Sequence, residues 1–418
     1  MDPSAYRKRT ADDYFAKKLR SAGAILIEGP KWCGKTTTAE MMSKSALYCQ
    51  DPDETDWIVN QAETKPSELL KGKLPRLIDE WQTVPKIWNA VRFAIDKSRA
   101  TGQYILTGSV VPDIDNVKSH LNSGTGRISP VFMRTMSLFE SGESCGSVSL
   151  KDLFDGKSEI GCRSDMTLEK LAHVSCRGGW PSALDMDDND SLNVANDYCE
   201  MIAREDCRKV DGVKRDYLVM KSVMRSLGRL TCTKAEISVI RKDINEIVTE
   251  RTLWGYIDAL KKLYVEEDIP AWHPAILSKT RVRSSPKRCF ADPSIATASI
   301  GMGPGALMKD AKAFGQIFES LCVRDLRVYS QLLDGTVYHY SDSNGLEVDS
   351  VIELRDGRWG ATEIKLNQIP EDQAAANLIR LKKKVENEPE FLAIITGTGF
   401  AHVRDDGVAV VPIGCLGP

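Results

Sequence analysis

The stretch "GPKWCGKTTTA", Gly29 to Ala39, decides how the first part of the chain folds. It satisfies G-x-x-x-x-G-K-[ST], with Gly29, Gly34, Lys35 and Thr36 at the fixed positions. Such a loop turns successive backbone N–H groups toward phosphate oxygens, and its glycines permit the close approach. The nucleotide-binding set is therefore Gly29, Pro30, Lys31, Trp32, Cys33, Gly34, Lys35, Thr36 and Thr37. Lys35 is expected to reach the terminal phosphates and the Thr36 hydroxyl to hold Mg²⁺.

Working outward, the motif needs a strand before it and a helix after it. The apolar run Ala24-Ile-Leu-Ile27 supplies the strand, and Thr36 to Ser45 reads as the helix. A second strand, Leu74 to Ile78, ends in Asp79-Glu80. Asp79 is placed to hold the metal and Glu80 to orient the attacking water. A third, Gln103 to Leu106, runs into Thr107-Gly-Ser109, where Ser109 suits a sensor of the terminal phosphate. A helical pattern, Val84 to Lys97, lies between them. Strands alternating with helices predict an α/β core with a parallel sheet and its ligand at the strands' carboxyl ends. ATP and Mg²⁺ are the expected cofactors.

Length and composition bound the rest. A chain of 418 residues is expected to divide into two or three domains. Its 42% hydrophobic and 28% charged residues are those of a soluble globular protein. A net charge of −3 excludes a polycation, so any nucleic-acid contact must be local. Eleven cysteines without a C-x-x-C pair and five scattered histidines spell neither a disulfide framework nor a zinc site. The expectation is a cytoplasmic protein with no membrane span.

Two further features bear on the nucleotide. Arg127, in "SGTGRISP", follows a glycine loop and is a candidate arginine finger toward a neighbouring subunit; the alternative is a surface ion pair. "GGWP", Gly178 to Pro181, is either a helix-ending turn or a means of laying Pro181 over an adenine ring. Trp81, Trp88 and Trp180 are expected to pack in the core.

The segments "AILIEGPKWCGKTTTA", "PRLIDEWQTVPKIWNAVR", "YILTGS" and "SGTGRISPVFMRTMSLFES" resemble prokaryotic AAA-type ATPases that carry a C-terminal domain of unknown function. The opening Tyr6 to Arg9 is also similar to that family's start, and "GGWP" resembles the G-x-P motif of its signal-transduction branch. The resemblance implies a P-loop, AAA+-like core (residues 1–145), a helical or winged-helix middle (146–270) and a nuclease-like α+β domain (271–418).

The residues of that last part carry a second pattern. In "GLEVDSVIELRDGRWGATEIKL", Asp349 lies on one strand, Arg355-Asp-Gly makes a hairpin turn, and Glu363 and Lys365 share a face of the next strand. Glu319, on the preceding helix, offers a third carboxylate, and Gln373 opens the following helix. Two carboxylates and a lysine suit Mg²⁺-dependent phosphodiester cleavage. The set is similar to the PD-(D/E)xK restriction-endonuclease-like superfamily, except that His339 stands where an arginine is usual. Solvated charges on a non-cleaving scaffold are the alternative.

The most basic stretch, "SKTRVRSSPKRC", carries Lys279, Arg281, Arg283, Lys287 and Arg288 and reads as a flexible arm for sequence-blind phosphate contacts or as a solvated linker. Together these readings predict an ATP-hydrolysing switch or motor that acts on DNA, with a homo-oligomer as a candidate assembly. The alternative is a signalling or scaffold ATPase whose C-terminal domain binds protein.

Overall fold

The computed structural model describes residues 6–110, 123–157, 160–274, 285–367 and 371–418. Two compact units account for these. The first comprises residues up to Thr135 together with Glu205–Lys214 and Ala259–Tyr264. The second comprises Met136–Arg204, Arg215–Asp258 and Val265–Pro418.

In the first unit, strands β1 (Ala24–Glu28), β2 (Ser45–Tyr48), β3 (Arg76–Asp79), β4 (Tyr104–Gly108) and β5 (Ile128–Phe132) form a sheet of order β2-β3-β4-β1-β5. Every pairing in it is parallel. Alternation along β1 explains why both faces are covered. Ile25 and Ile27 pack with Phe15, Leu19 and Val131, whereas Ala24 and Leu26 pack with Ile87, Val91 and Ile95. The helix expected over Val84 to Lys97 begins later, at Ile87, after a 3-10 turn at Trp81–Thr83, because Pro85 keeps Val84 out of helical geometry. Trp81 is buried there against Trp88, with ring centroids 4.7 Å apart. Because the strands are parallel, Gly29, Asp79, Glu80 and Ser109 all emerge at one edge of the sheet.

In the second unit, β6 (Val148–Ser149) and β14 (Leu416–Gly417) form a parallel pair. A mixed seven-stranded sheet runs β7-β12-β13-β11-β10-β9-β8. Its strands are β7 (Cys162–Arg163), β8 (Gly335–Ser341), β9 (Glu347–Leu354), β10 (Trp359–Lys365), β11 (Phe391–Thr396), β12 (Phe400–Val403) and β13 (Ala409–Pro412). The predicted hairpin is present, with β9 and β10 antiparallel and Ala361 opposite Val351. A helix at Glu371–Lys382 covers one face through Ala374, Ala375, Leu378 and Leu381. Ahead of the sheet runs the long helix Ala311–Leu332.

Helices Tyr217–Arg229, Ile237–Asp243 and Glu250–Lys262 occupy the middle of the chain. Isolated bridges follow them, Glu266 with Phe290 and Ile269 with Lys287, and Thr233 bridges Arg288. Trp180 is fully buried against Tyr198, and its indole N–H donates to Ser294.

Candidate functional site

The loop after β1 closes into a cradle for physical reasons that can be read residue by residue. Gly34 ends the loop at φ +99°, a left-handed conformation that a side chain would strain, and the helix Lys35–Met42 follows it. A Cβ on Gly29 would stand 2.1 Å from the Met133 carbonyl oxygen, so no larger residue fits where the loop passes β5. Arg9 holds the loop from below, donating to the Cys33 carbonyl at 2.8 Å and to the Arg134 carbonyl at 2.8 Å.

Lys35 folds back over the loop, its ammonium 2.9 Å from the Gly29 carbonyl and 2.7 Å from that of Pro30. Thr36 donates its hydroxyl to Asp79 at 2.8 Å, and Thr107 donates to the same oxygen at 2.7 Å. Burial pushes the Asp79 carboxyl above its ordinary value, against the pull of the Thr107 and Thr36 hydroxyls. A divalent cation fits this donor set, since a hydroxyl and a half-buried carboxylate converge beside a phosphate cradle. Glu80 sits next to it at φ +50° and is held at three points. Its N–H donates to Thr107 at 3.0 Å, Ser109 donates to its carboxylate at 2.9 Å, and the Gln82 amide bonds the same oxygen. Ser109 therefore contacts Glu80 directly. Thr37 lies in the helix's first turn, Cys33 is buried, and Trp32 is largely exposed.

Some contacts at this loop had no sequence signal. Lys31 pairs with Asp206 at 2.6 Å, and Tyr264 donates to Glu28 at 2.8 Å. Burial raises the Glu28 carboxyl, partly offset by that hydroxyl. Residues 206 and 264 follow 178 and 236 positions after Glu28, so only folding could reveal them. Thr107, by contrast, was visible as a hydroxyl at the end of an apolar strand.

Arg127 precedes β5, at the amino end of the strands, opposite the phosphate loop's edge. Its guanidinium pairs with Asp96 at 2.8 Å and donates to the Thr125 carbonyl at 3.0 Å. This is the surface ion pair that the sequence left open. Pro181 belongs to the second unit, where it opens a 3-10 turn directly after the helix Leu168–Arg177 and its glycines.

The second constellation also assembles. Lys365 bonds Glu363 at 2.6 Å and Asp349 at 3.1 Å. The β9–β10 ladder stops at Ser350 opposite Thr362, and Asp349 accepts the N–H of Ile364 just beyond, at 2.8 Å. Asn377 donates to Glu363 at 3.2 Å, and Gln373 donates to Asn377 at 3.2 Å.

The unforeseen member is Lys287, which pairs with Glu319 at 2.6 Å and lies 3.7 Å from Asp349. This corrects the reading of Lys287 and Arg288 as part of a free basic arm. Lys287 and Arg288 are buried, and Arg288 pairs with Asp268 at 2.8 Å and with Glu266 at 3.4 Å. Lys287 bridges Ile269 and Arg288 bridges Thr233, so this stretch is fixed and each cation meets its own buried carboxylates. Lys279, Arg281 and Arg283 lie outside the described residues. His339 is also buried. Its backbone bonds Pro270 and Trp272, and burial, with Lys287 nearby, pushes its pKa down to about 4.

The electrostatics follow from burial. Desolvation, then the Asp349 charge, pushes Glu319 up to about 8 and Glu363 up to about 7. Asp349 goes the other way: burial would raise it, but Lys365, Lys287 and the Ile364 N–H outweigh that and hold it below the usual value. Each lysine already bridges two carboxylates. Among the described residues, the carboxylate oxygens of this cluster do not gather as a metal-ligand set; the group that does is Cys145, Cys162 and Cys415. A cleavage-type Mg²⁺ therefore fits this arrangement poorly.

Comparison with known proteins places these units. Residues 21–141 match the family model described as an AAA domain. Residues 168–305 match a domain of unknown function (DUF8612), and residues 314–416 match another (DUF4143). The chain is similar to uncharacterized proteins of Mycobacterium bovis (Mb2031c) and Mycobacterium tuberculosis (Rv2008c). Each is 22% identical over 366 residues, 87% of this chain and 75% of the relative. Among solved structures, the Walker-type ATPase PABY2304 of Pyrococcus abyssi aligns with 71% of this chain and 97% of its own, at 14% identity and a TM-score of 0.43. The Orc1 protein of Aeropyrum pernix in complex with DNA aligns with 72% and 94%, at 11% identity and a TM-score of 0.26. The first unit carries an AAA-type P-loop domain. Among the described residues, no helix is long and apolar enough to cross a membrane.

Proposed function

We propose that this chain is an ATP-hydrolysing AAA-type switch acting on DNA, with a C-terminal restriction-endonuclease-like domain that holds its partner without cutting it. The observation that carries the ATPase reading is the 2.8 Å bond from Thr36 to Asp79, with Lys35 and Glu80 beside it. Mg²⁺ would be held by Thr36 and Asp79 and would shield the charge of the phosphates. Lys35 exchanges the loop carbonyls for phosphate oxygens, and Glu80, kept in place by Ser109 and Gln82, orients the attacking water. Loss of the terminal phosphate alters what Ser109 and Glu80 can bond, and that difference biases the switch between two arrangements.

DNA as partner is supported by the order helix, bridge, helix, helix, bridge, bridge over Tyr217 to Phe290, which is that of a winged helix. The non-cleaving reading is supported by Lys287 and Lys365, whose ammoniums occupy the carboxylates a metal would need. A homo-oligomer in which Arg127 leaves Asp96 for a neighbour's phosphate belongs to the same proposal.

The test is the ATPase rate with and without double- and single-stranded DNA at low salt, for wild type and Glu80→Gln, with a parallel cleavage assay in Mg²⁺. A Glu80-dependent rate that DNA raises, without strand scission, is expected. A rate indifferent to every nucleic acid overturns DNA as partner in favour of the scaffold reading, and Lys365-dependent scission overturns the non-cleaving one.

A further inference from the structure

Eleven cysteines without a paired spacing gave no reason to expect a metal site, yet folding brings three of them together. The Cys162 sulfur lies 3.5 Å from that of Cys145 and 3.1 Å from that of Cys415, and all three sulfurs fall within 4.8 Å of one another. None is in a disulfide. We propose that Cys145, Cys162 and Cys415 form a binding site for a thiophilic divalent cation of the Zn²⁺ class.

The spacing suits that chemistry. Tetrahedral Zn²⁺ with bonds of about 2.3 Å sets its thiolate sulfurs about 3.8 Å apart, so small χ1 rotations open the triangle to the required size. A disulfide would join only two of the sulfurs, at about 2.05 Å, and would strand the third.

The frame around the sulfurs is already fixed by backbone bonds. Cys145 donates its N–H to the Gly414 carbonyl at 3.0 Å, and Ser144 donates its hydroxyl to the Leu416 carbonyl at 2.6 Å. Cys162 pairs with Ala401 in the β7–β12 ladder, and Ser164 donates its N–H to Gly399 at 3.0 Å. Ligands on such a frame lose little freedom when they bind. Accessibility is graded as an entry path requires: Cys415 is buried, Cys162 is intermediate and Cys145 is exposed. The fourth position faces the Cys145 side, open to water or to the Ser147 hydroxyl 3.0 Å from the Cys145 sulfur.

Binding releases the three thiol protons to solvent and leaves three thiolates on one divalent cation, a net charge of −1. The bonds would tie the chain's last residues to the segments around 145 and 162. By contrast, the buried Cys232 and Cys289, with sulfurs 3.7 Å apart, offer only two ligands.

The experiment is a Co²⁺ titration of the reduced, chelator-treated full chain, followed by Zn²⁺. The expected result is a thiolate-to-Co²⁺ charge-transfer band that saturates at one equivalent, is bleached by Zn²⁺ and is lost in Cys162→Ser. As a readout independent of that variant's folding, Zn²⁺ should slow alkylation of wild-type Cys145 about tenfold, since a metal-bound thiolate is shielded. The site is overturned by no band, by a band that a folded Cys162→Ser retains, or by unprotected Cys145. A peptide carrying a Cys162–Cys415 or Cys145–Cys162 disulfide in metal-free protein would overturn it in favour of a redox pair.

Discussion

Lys31, inside the phosphate loop, holds its ammonium 2.6 Å from the carboxylate of Asp206, a residue 175 positions further along the chain. The pair sets an internal anion against the incoming phosphates for the same cation. Asp206→Asn should therefore tighten nucleotide binding by about two- to fivefold, the range a partly exposed ion pair supports. Titration with a fluorescent ATP analogue measures this, and an unchanged Kd would mean that Lys31 does not meet the phosphates.

Glu80 and Lys35 should fail in different ways. Glu80→Gln is expected to bind ATP normally and to hydrolyse it about 10²-fold or more slowly, as befits loss of a water-orienting base. Lys35→Ala should lose binding itself. Parallel binding and turnover measurements separate the two, and equal losses of binding in both variants would remove Glu80 from its assigned role.

The C-terminal cluster predicts a pH dependence of stability. Folded Glu319 and Glu363 keep their protons up to about 8 and about 7, against 4.5 in an unfolded chain. Between those values the folded state binds more protons, so these groups make stability fall as pH rises. His339, held neutral with a pKa of about 4 against its ordinary 6.5, contributes the opposite slope below 6.5. Comparing wild type with Glu319→Gln between pH 6.5 and 8 isolates the glutamate term. The wild type should lose Tm more steeply over that interval, and parallel curves would refute the assignment.

Removing Lys287 leaves two buried carboxylates without their shared cation. Lys287→Met should cost about 3–5 kcal/mol by urea denaturation at pH 9, where Glu319 has given up its proton and the buried pair is ionic. A loss within about 0.5 kcal/mol, typical of a solvated surface change, would return residue 287 to the basic arm.

At "GGWP" the backbone makes a turn. Gly178 stands at φ +76°, and a Cβ on Gly179 would lie 2.1 Å from the Met136 carbonyl oxygen. Gly179→Ala should destabilise the second unit by more than about 3 kcal/mol or prevent its folding, because the atom it meets is backbone. A soluble variant with unchanged thermal unfolding would show that the contact yields.

By itself the sequence determined what depends on neighbours along the chain. The phosphate loop needs its glycines within a few residues, and Asp79, Glu80 and Ser109 follow from apolar strands that end in polar residues. The β9–β10 hairpin follows from alternation and a turn, and with it the Glu363–Lys365 pair. What only the tertiary structure decided are meetings between residues far apart in sequence. These include Asp206 on Lys31, Tyr264 on Glu28, and Lys287 turned inward between Glu319 and Asp349. Three cysteines from the two ends of one unit also join into a candidate metal site. Local patterns report which face of an element is apolar, but the partner of a buried charge or thiol is set by packing, and packing is a property of the whole chain.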